Sequence, residues 1–242
     1  MRARAGSGPR RPETGVRRGA REAVVLSLVY FVFAASFGNY AVTEFGLPPW
    51  YAAGTTILAY GIQAQIAAFK AMQAGENLVW IVLLVLAVNV RFMLMSASMA
   101  ARFRDLPLLG QLAASHLVAN GSFAAAARHE RVTGDRSAGY FLGFAATVYA
   151  VFALGALVGA LMGAVLPPSV QSVTGFVLPA FLLAMIATTL PYRAVFTLGL
   201  VAGAAALTLW LAQTLSASAA LLIAPALVAT AAVGVDHAVR RR

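Results

Sequence analysis

LVWIVLLVLAVNVRFMLMSASMA, residues 78–100, carries a single charge, Arg91, in an otherwise uncharged run. A helix rises 1.5 Å per residue, so this stretch spans the roughly 30 Å of a bilayer's hydrocarbon core and has no polar face to offer water. The sequence around it is of the same kind. Further apolar runs cover 23–43, 50–72, 107–127, 138–165, 169–190, 193–212 and 215–235, and Pro48-Pro49, Pro107, Pro167-Pro168 and Pro191 punctuate the short connections. Of the 242 residues 61% are hydrophobic and 11% charged, and the mean hydropathy is +0.81. A soluble domain carries about 25% charged residues, so a water-facing globular surface is excluded. The expectation is an all-α polytopic membrane protein with seven to eight transmembrane helices.

The formal charge of +10 comes from the arginines and a lone Lys70 set against eight acidic residues. Arg2, Arg4, Arg10, Arg11, Arg17, Arg18 and Arg21 crowd the start, and Arg240, Arg241 and Arg242 close the chain. In a soluble protein such a balance points to nucleic acid. Beside apolar helices it is the positive-inside signature, so the expected partner is the lipid bilayer and no nucleic acid. Residues 1–21 lack apolar periodicity and are expected to form a basic, disordered cytoplasmic tail. Residues 22–238 form the transmembrane domain, and 239–242 a basic cytoplasmic end. Eight crossings put both termini in the cytoplasm together with Lys70, Arg128, Arg131, Arg136 and Arg193, and leave Arg102 and Arg104 on the far side.

Cysteine is absent, which removes disulfides, thiolate metal sites and thiol nucleophiles. No G-x-S-x-G, H-E-x-x-H or P-loop pattern occurs. All acidic residues lie in connections, tails or span ends. The sequence therefore predicts no enzyme, no metal site and no cofactor.

The polar residues at membrane depth carry what chemistry there is. Asn89 and Arg91 lie in the third run, and Gln111, Ser115, His116, Asn120 and Ser122 load the fourth. Either the fourth run lines an aqueous cavity, or the third and fourth are broken or re-entrant segments whose backbone is buried in protein. Arg91 is read as binding a substrate carboxylate, or as capping carbonyls of a broken helix. His116 could gate or relay protons, or simply bond Asn120 one turn on. In the second run Gly61 with Gln63 and Gln65 permits close backbone approach and offers amides to a zwitterion. Gly155, Gly159 and Gly163 recur every fourth residue as a helix-packing stripe, and Pro179 marks a helix break or hinge. Eight identities at an offset of 119 residues, among them Tyr30 with Tyr149 and Pro48-Pro49 with Pro167-Pro168, raise the prospect of two related halves.

The order of these features resembles the AzlC family, the large subunit of branched-chain amino-acid exporters. The resemblance rests on Gly61-Ile62-Gln63-Ala64-Gln65, Asn89-Val90-Arg91, Ala100-Ala101-Arg102-Phe103-Arg104, Leu106-Pro107-Leu108, His116-Leu117, Ser122-Phe123 and Phe176-Val177-Leu178-Pro179-Ala180-Phe181. It implies a bacterial inner-membrane permease that exports branched-chain or similar small apolar amino acids, paired with a small AzlD-type membrane subunit. The chain departs from the family pattern at Asn120-Gly121, where an acidic pair is usual, and at Thr174-Gly175, where an Asp is usual. Gln63, Gln65, Asn89, Arg91, His116 and Asn120 carry over as substrate-binding positions in an alternating-access transporter, with proton coupling left without a carrier. The competing reading is a non-transporting scaffold or sensor that assembles, with itself or a partner, through its glycine-rich helix faces. An intramembrane enzyme using His116 as a base, and a channel, are the remaining alternatives.

Overall fold

A computed structural model describes residues 15–165, 167, 194–215, 219–220, 222–228 and 230–231. Among the described residues the regular structure is helical throughout. The principal helices are α1 (Gly15–Phe45), α2 (Pro49–Ala59), α3 (Ile62–Gln73), α4 (Leu78–Phe103), α5 (Leu108–His116), α6 (Asn120–Thr133), α7 (Ala138–Gly163) and α8 (Ala194–Leu211). Three of them, α1, α4 and α7, are long and apolar enough to cross a membrane. The chain clusters into two compact units, one formed by residues up to Tyr30 with Leu94–Phe152, the other by Phe31–Met93 with the chain from Ala153 onward. Helices α1, α4 and α7 each give one half to each unit.

In the first unit the opening turns of α1 and α7 lie side by side, running in the same direction. A Cβ on Gly19 would overlap the Tyr140 backbone, and one on Gly143 would overlap the Val16 carbonyl, so two glycines set how closely the backbones approach. The Tyr140 hydroxyl donates to Glu22 at 2.7 Å across this contact. Beyond α4 the chain reverses. Helix α5 climbs back along α4, where Ser96 Oγ donates to the Ser115 carbonyl at 3.5 Å, and breaks at residues 117–119. Helix α6 then descends until Arg102 Nη2 meets Glu130 Oε2 at 2.7 Å. Met99, Phe103, Ala114, Val118, Ala126, Phe141 and Ala145 make the core that holds this hairpin against α4 and α7.

This arrangement corrects the reading of the fourth apolar run as a crossing. A nine-residue α5 reaches about 13 Å, less than half of the hydrocarbon core. Both ends of the α5/α6 segment therefore share one membrane face, and Arg102 and Arg104 stand on the same face as Arg128 and Arg136, not the opposite one. Of the third and fourth runs, the third is one continuous helix, α4, and the fourth is broken and re-entrant.

In the second unit Gly155, Gly159 and Gly163 of α7 lie on the backbone of α1 at Phe31, Ala35 and Asn39, and Gly38 of α1 returns the contact at Ala156 and Ala160. A Cβ on Gly155 would come within 2.6 Å of the Phe31 carbonyl, so a side chain there would part the helices. Here too the chain forms a hairpin. Helix α2 starts four residues after α1 ends, and α3 finishes where Gln73 Nε2 donates to the Glu44 carbonyl at 3.1 Å and Phe69 meets the Phe45 ring at 5.3 Å between centroids. The second run thus also returns to the face it left. Helix α4 carries the chain from the end of one hairpin to the start of the other.

Of the five crossings expected up to residue 165, three are single helices and two are half-depth hairpins. The total of seven or eight is not reached among the described residues, and the sixth run, with Pro179, lies outside them. Helix α1 begins at Gly15, so the basic stretch expected to be disordered through residue 21 is helical from that point. Its packing on α7 and the Arg18–Glu22 pair at 2.9 Å, one turn apart, account for the added turns. The segments matched at the 119-residue offset are α1 and α7. Tyr30 and Tyr149, equivalent in that match, both attend the α5/α6 hairpin: Gly121 N donates to Tyr30 Oη at 3.2 Å, and the Tyr149 ring stands 5.6 Å from that of His116.

Candidate functional site

The elbow between α2 and α3 is built from strain and vacancy. Tyr60 ends α2 with φ 45° and ψ 33°, and among the described residues it is the one non-glycine with positive φ. A left-handed conformation in a side-chain-bearing residue costs about 1–2 kcal/mol, and such outliers concentrate at binding sites. Gly61 follows as the N-cap of α3, with no side-chain cap. The first N–H groups of α3 and the last carbonyls of α2 have no partners within their own helices. The partial positive end of one helix and the partial negative end of the other therefore converge on one turn.

Side chains close around that turn. Gln65 is 5% exposed; its Oε1 lies 3.3 Å from the Thr56 hydroxyl of α2, so its amide reaches back across the elbow. Its Nε2 is buried with no hydrogen-bond partner among the described residues. A buried donor left unmade costs about 1–3 kcal/mol, which an entering acceptor recovers. From α4, Asn89 brings Oδ1 to 3.4 Å from the point where a Gly61 Cβ would stand, so the amide lies against the turn. Gly61, Gln65 and Asn89 are thus brought together, with Thr56 and Tyr60 added. Gln63, half-buried, sits in the first turn of α3.

Arg91 does not share this position. Two residues along a helix are 200° apart, so Arg91 leaves α4 in a different direction from Asn89, and its guanidinium carbon lies 4.8 Å from the Phe92 ring. His116 and Asn120 belong to the other elbow. The helix breaks between them at residues 117–119. His116 is exposed at the end of α5 and Asn120 opens α6.

That second elbow is closed by Ser122, with Tyr30 Oη taking the Gly121 N–H. Ser122, 1% exposed, accepts from the Ala119 N–H at 2.9 Å and offers its hydrogen to the Leu117 and Ala119 carbonyls at 3.0 and 3.1 Å. At the foot of α6, Glu130 is held between Arg102 and Arg136, and His129 stacks face to face on Tyr140 with centroids 3.7 Å apart. In the following loop the Ser137 N–H donates to Asp135 at 2.8 Å, and this bond above all holds the Asp135 carboxyl below its usual range. Tyr60 did not stand out as a site residue in the sequence, its place directly before Gly61 being the available signal; Ser122 stood out only as part of the polar load of the fourth run.

The family model described as AzlC protein matches residues 25–166, which takes in both elbows. No curated protein and no solved structure matches the chain.

Proposed function

The chain belongs to the AzlC family, and from that premise we propose that it is the large, substrate-binding subunit of a two-component permease that moves branched-chain or similar small apolar amino acids outward by alternating access. The observation that carries this reading is the α2/α3 elbow, where a buried amide without a partner meets two converging helix ends. A zwitterion matches those ends. Its carboxylate takes the free N–H groups of α3 and Gln65 Nε2, and its ammonium takes Asn89 Oδ1 and the closing carbonyls of α2. Discontinuous helices of this kind are where transporters bind their substrates. No covalent step is involved, and the small AzlD-type subunit completes the pathway.

The basic residues support the orientation. Arg17, Arg18, Arg21, Arg102, Arg104, Arg128, Arg131 and Arg136 all fall at the ends of segments that meet in the first unit. On the positive-inside rule that face is the cytoplasmic one of a bacterial inner membrane. The Gly155, Gly159 and Gly163 stripe that the scaffold reading would use for assembly is covered by α1 of the same chain, whereas Gly199 and Gly203 of α8 have nothing within 4 Å among the described residues.

Counterflow of labelled leucine, valine and methionine into proteoliposomes, with and without the small subunit, tests the proposal. Saturable exchange that Gln65→Leu abolishes and Arg91→Ala merely weakens is the expected result. Absence of exchange from correctly inserted protein sinks the transporter reading, and loss with Arg91→Ala alone moves the carboxylate site to the other side of α4.

A further inference from the structure

A second polar site lies in the first unit, away from any residue used above for the substrate. The end of α4, the return arm of the α5/α6 hairpin and the loop before α7 border an open cavity of about 780 Å³. Arg102, Arg104 and Arg136 face it together with Glu130 and Asp105. Both nearer arginines grip the same carboxylate, Arg102 Nη2 at Glu130 Oε2 (2.7 Å) and Arg136 Nε at Glu130 Oε1 (2.6 Å). Three guanidiniums against two carboxylates leave one positive charge unbalanced. The Arg102 side chain is only 8% exposed, and its Nη1 is buried with no hydrogen-bond acceptor among the described residues. A buried ionised donor without an acceptor is an incomplete site, since charged groups are retained in protein interiors when paired and bonded. The rest of the wall is apolar, with Met99, Leu106 and Phe123.

We propose that this cavity binds a phosphate monoanion, with Arg102 Nη1 as the inner donor and Arg104 and Arg136 as the rim. A cavity that is cationic at one side, apolar at the other and seated at the end of a membrane-crossing helix fits the phosphodiester of an anionic phospholipid, whose glycerol and first methylenes lie on Met99, Leu106 and Phe123. Free phosphate shares the recognising chemistry but makes no use of the apolar wall. The bound group ties the re-entrant hairpin to the end of α4 beside the Arg102–Glu130 pair.

The purified full chain in a neutral detergent is titrated with phosphatidylglycerol, phosphatidylcholine or inorganic phosphate, following the thermal midpoint and the lipid retained in native mass spectrometry. One phosphatidylglycerol per chain, held about tenfold more tightly than phosphatidylcholine and raising the midpoint, is the expected result. The double variant Arg104→Gln/Arg136→Gln, which keeps the Arg102–Glu130 bond, weakens that binding about tenfold or more, because each basic residue near an anionic lipid contributes about a factor of five. Arg102→Gln abolishes it if the variant folds, and the rim variant decides if it does not. Stabilisation by inorganic phosphate with no added effect of phosphatidylglycerol keeps the phosphate site and makes its source soluble. Equal retention of both lipids with no effect of phosphate, or equal binding by the rim variant, overturns the proposal.

Discussion

The two hairpins are built to one plan and finished differently. Each leaves a membrane-crossing helix, climbs about half the hydrocarbon core, breaks and returns. At the α5/α6 elbow Ser122 satisfies the turn with its own hydroxyl and is 1% exposed, so the break is sealed. At the α2/α3 elbow the turn is held by a strained Tyr60, and the buried Gln65 donor has nothing to bond. A broken helix is therefore not in itself a binding site. What separates the two is whether the freed polar groups are satisfied from within the chain.

Gln65→Leu is the sharpest way to break that comparison. It removes an unmade donor, so thermal stability in detergent should stay level or rise by up to about 1 kcal/mol while leucine counterflow falls at least about tenfold. A matching loss of stability would make Gln65 a structural residue and erase the contrast. Arg102→Ala acts at the foot of the sealed hairpin. It leaves Glu130 in a largely buried position with the exposed Arg136 alone, and should cost about 3 kcal/mol by denaturant or thermal unfolding. Ser122→Ala opens the sealed elbow and should cost about 1–3 kcal/mol, the opposite sign to the change at the first elbow. Both hairpins end on a left-handed glycine with open space around it, Gly75 (φ 70°) after α3 and Gly134 (φ 74°) after α6, so Gly75→Ala and Gly134→Ala should each cost about 1 kcal/mol and do so equally. The smallest effect is pH-dependent and confined to the second hairpin. The folded Asp135 carboxyl titrates below its unfolded value near 3.9, so its contribution is present above about pH 4 and fades as pH falls further; Asp135→Asn should flatten that part of the stability profile.

The helical, membrane-crossing character was legible because an uncharged run such as 78–100 has no other stable home. The depth of a helix was not. Runs 50–72 and 107–127 are as long as a crossing, and what folds them back is a local event: Tyr60 turning left-handed before Gly61 in one, and Ser122 bonding Leu117 and Ala119 in the other. Hydropathy averages over such events. Gln65, Gly61 and Asn89 could be singled out since amides in a greasy segment need partners, and they do converge. Arg91 was grouped with Asn89 by nearness in sequence, whereas helical geometry turns the two apart. Arg102 was set on the opposite face from Arg128 and Arg136 because run 107–127 was counted as a crossing; its partner Glu130 is 28 residues away and no local pattern joins them.

The glycine seam between α1 and α7 also sets a timetable. Gly19 and Gly38 must meet residues made about 120 positions later, Tyr140 and Ala156. At 5–20 residues per second a ribosome needs roughly 6–24 s to cover that distance, and the helix made first waits with its groove open. For that interval the nascent chain depends on lipid, insertion machinery or another protein to cover the groove. Its yield in the membrane should then respond to the pace of translation between α1 and α7 more than to any single contact in the finished fold.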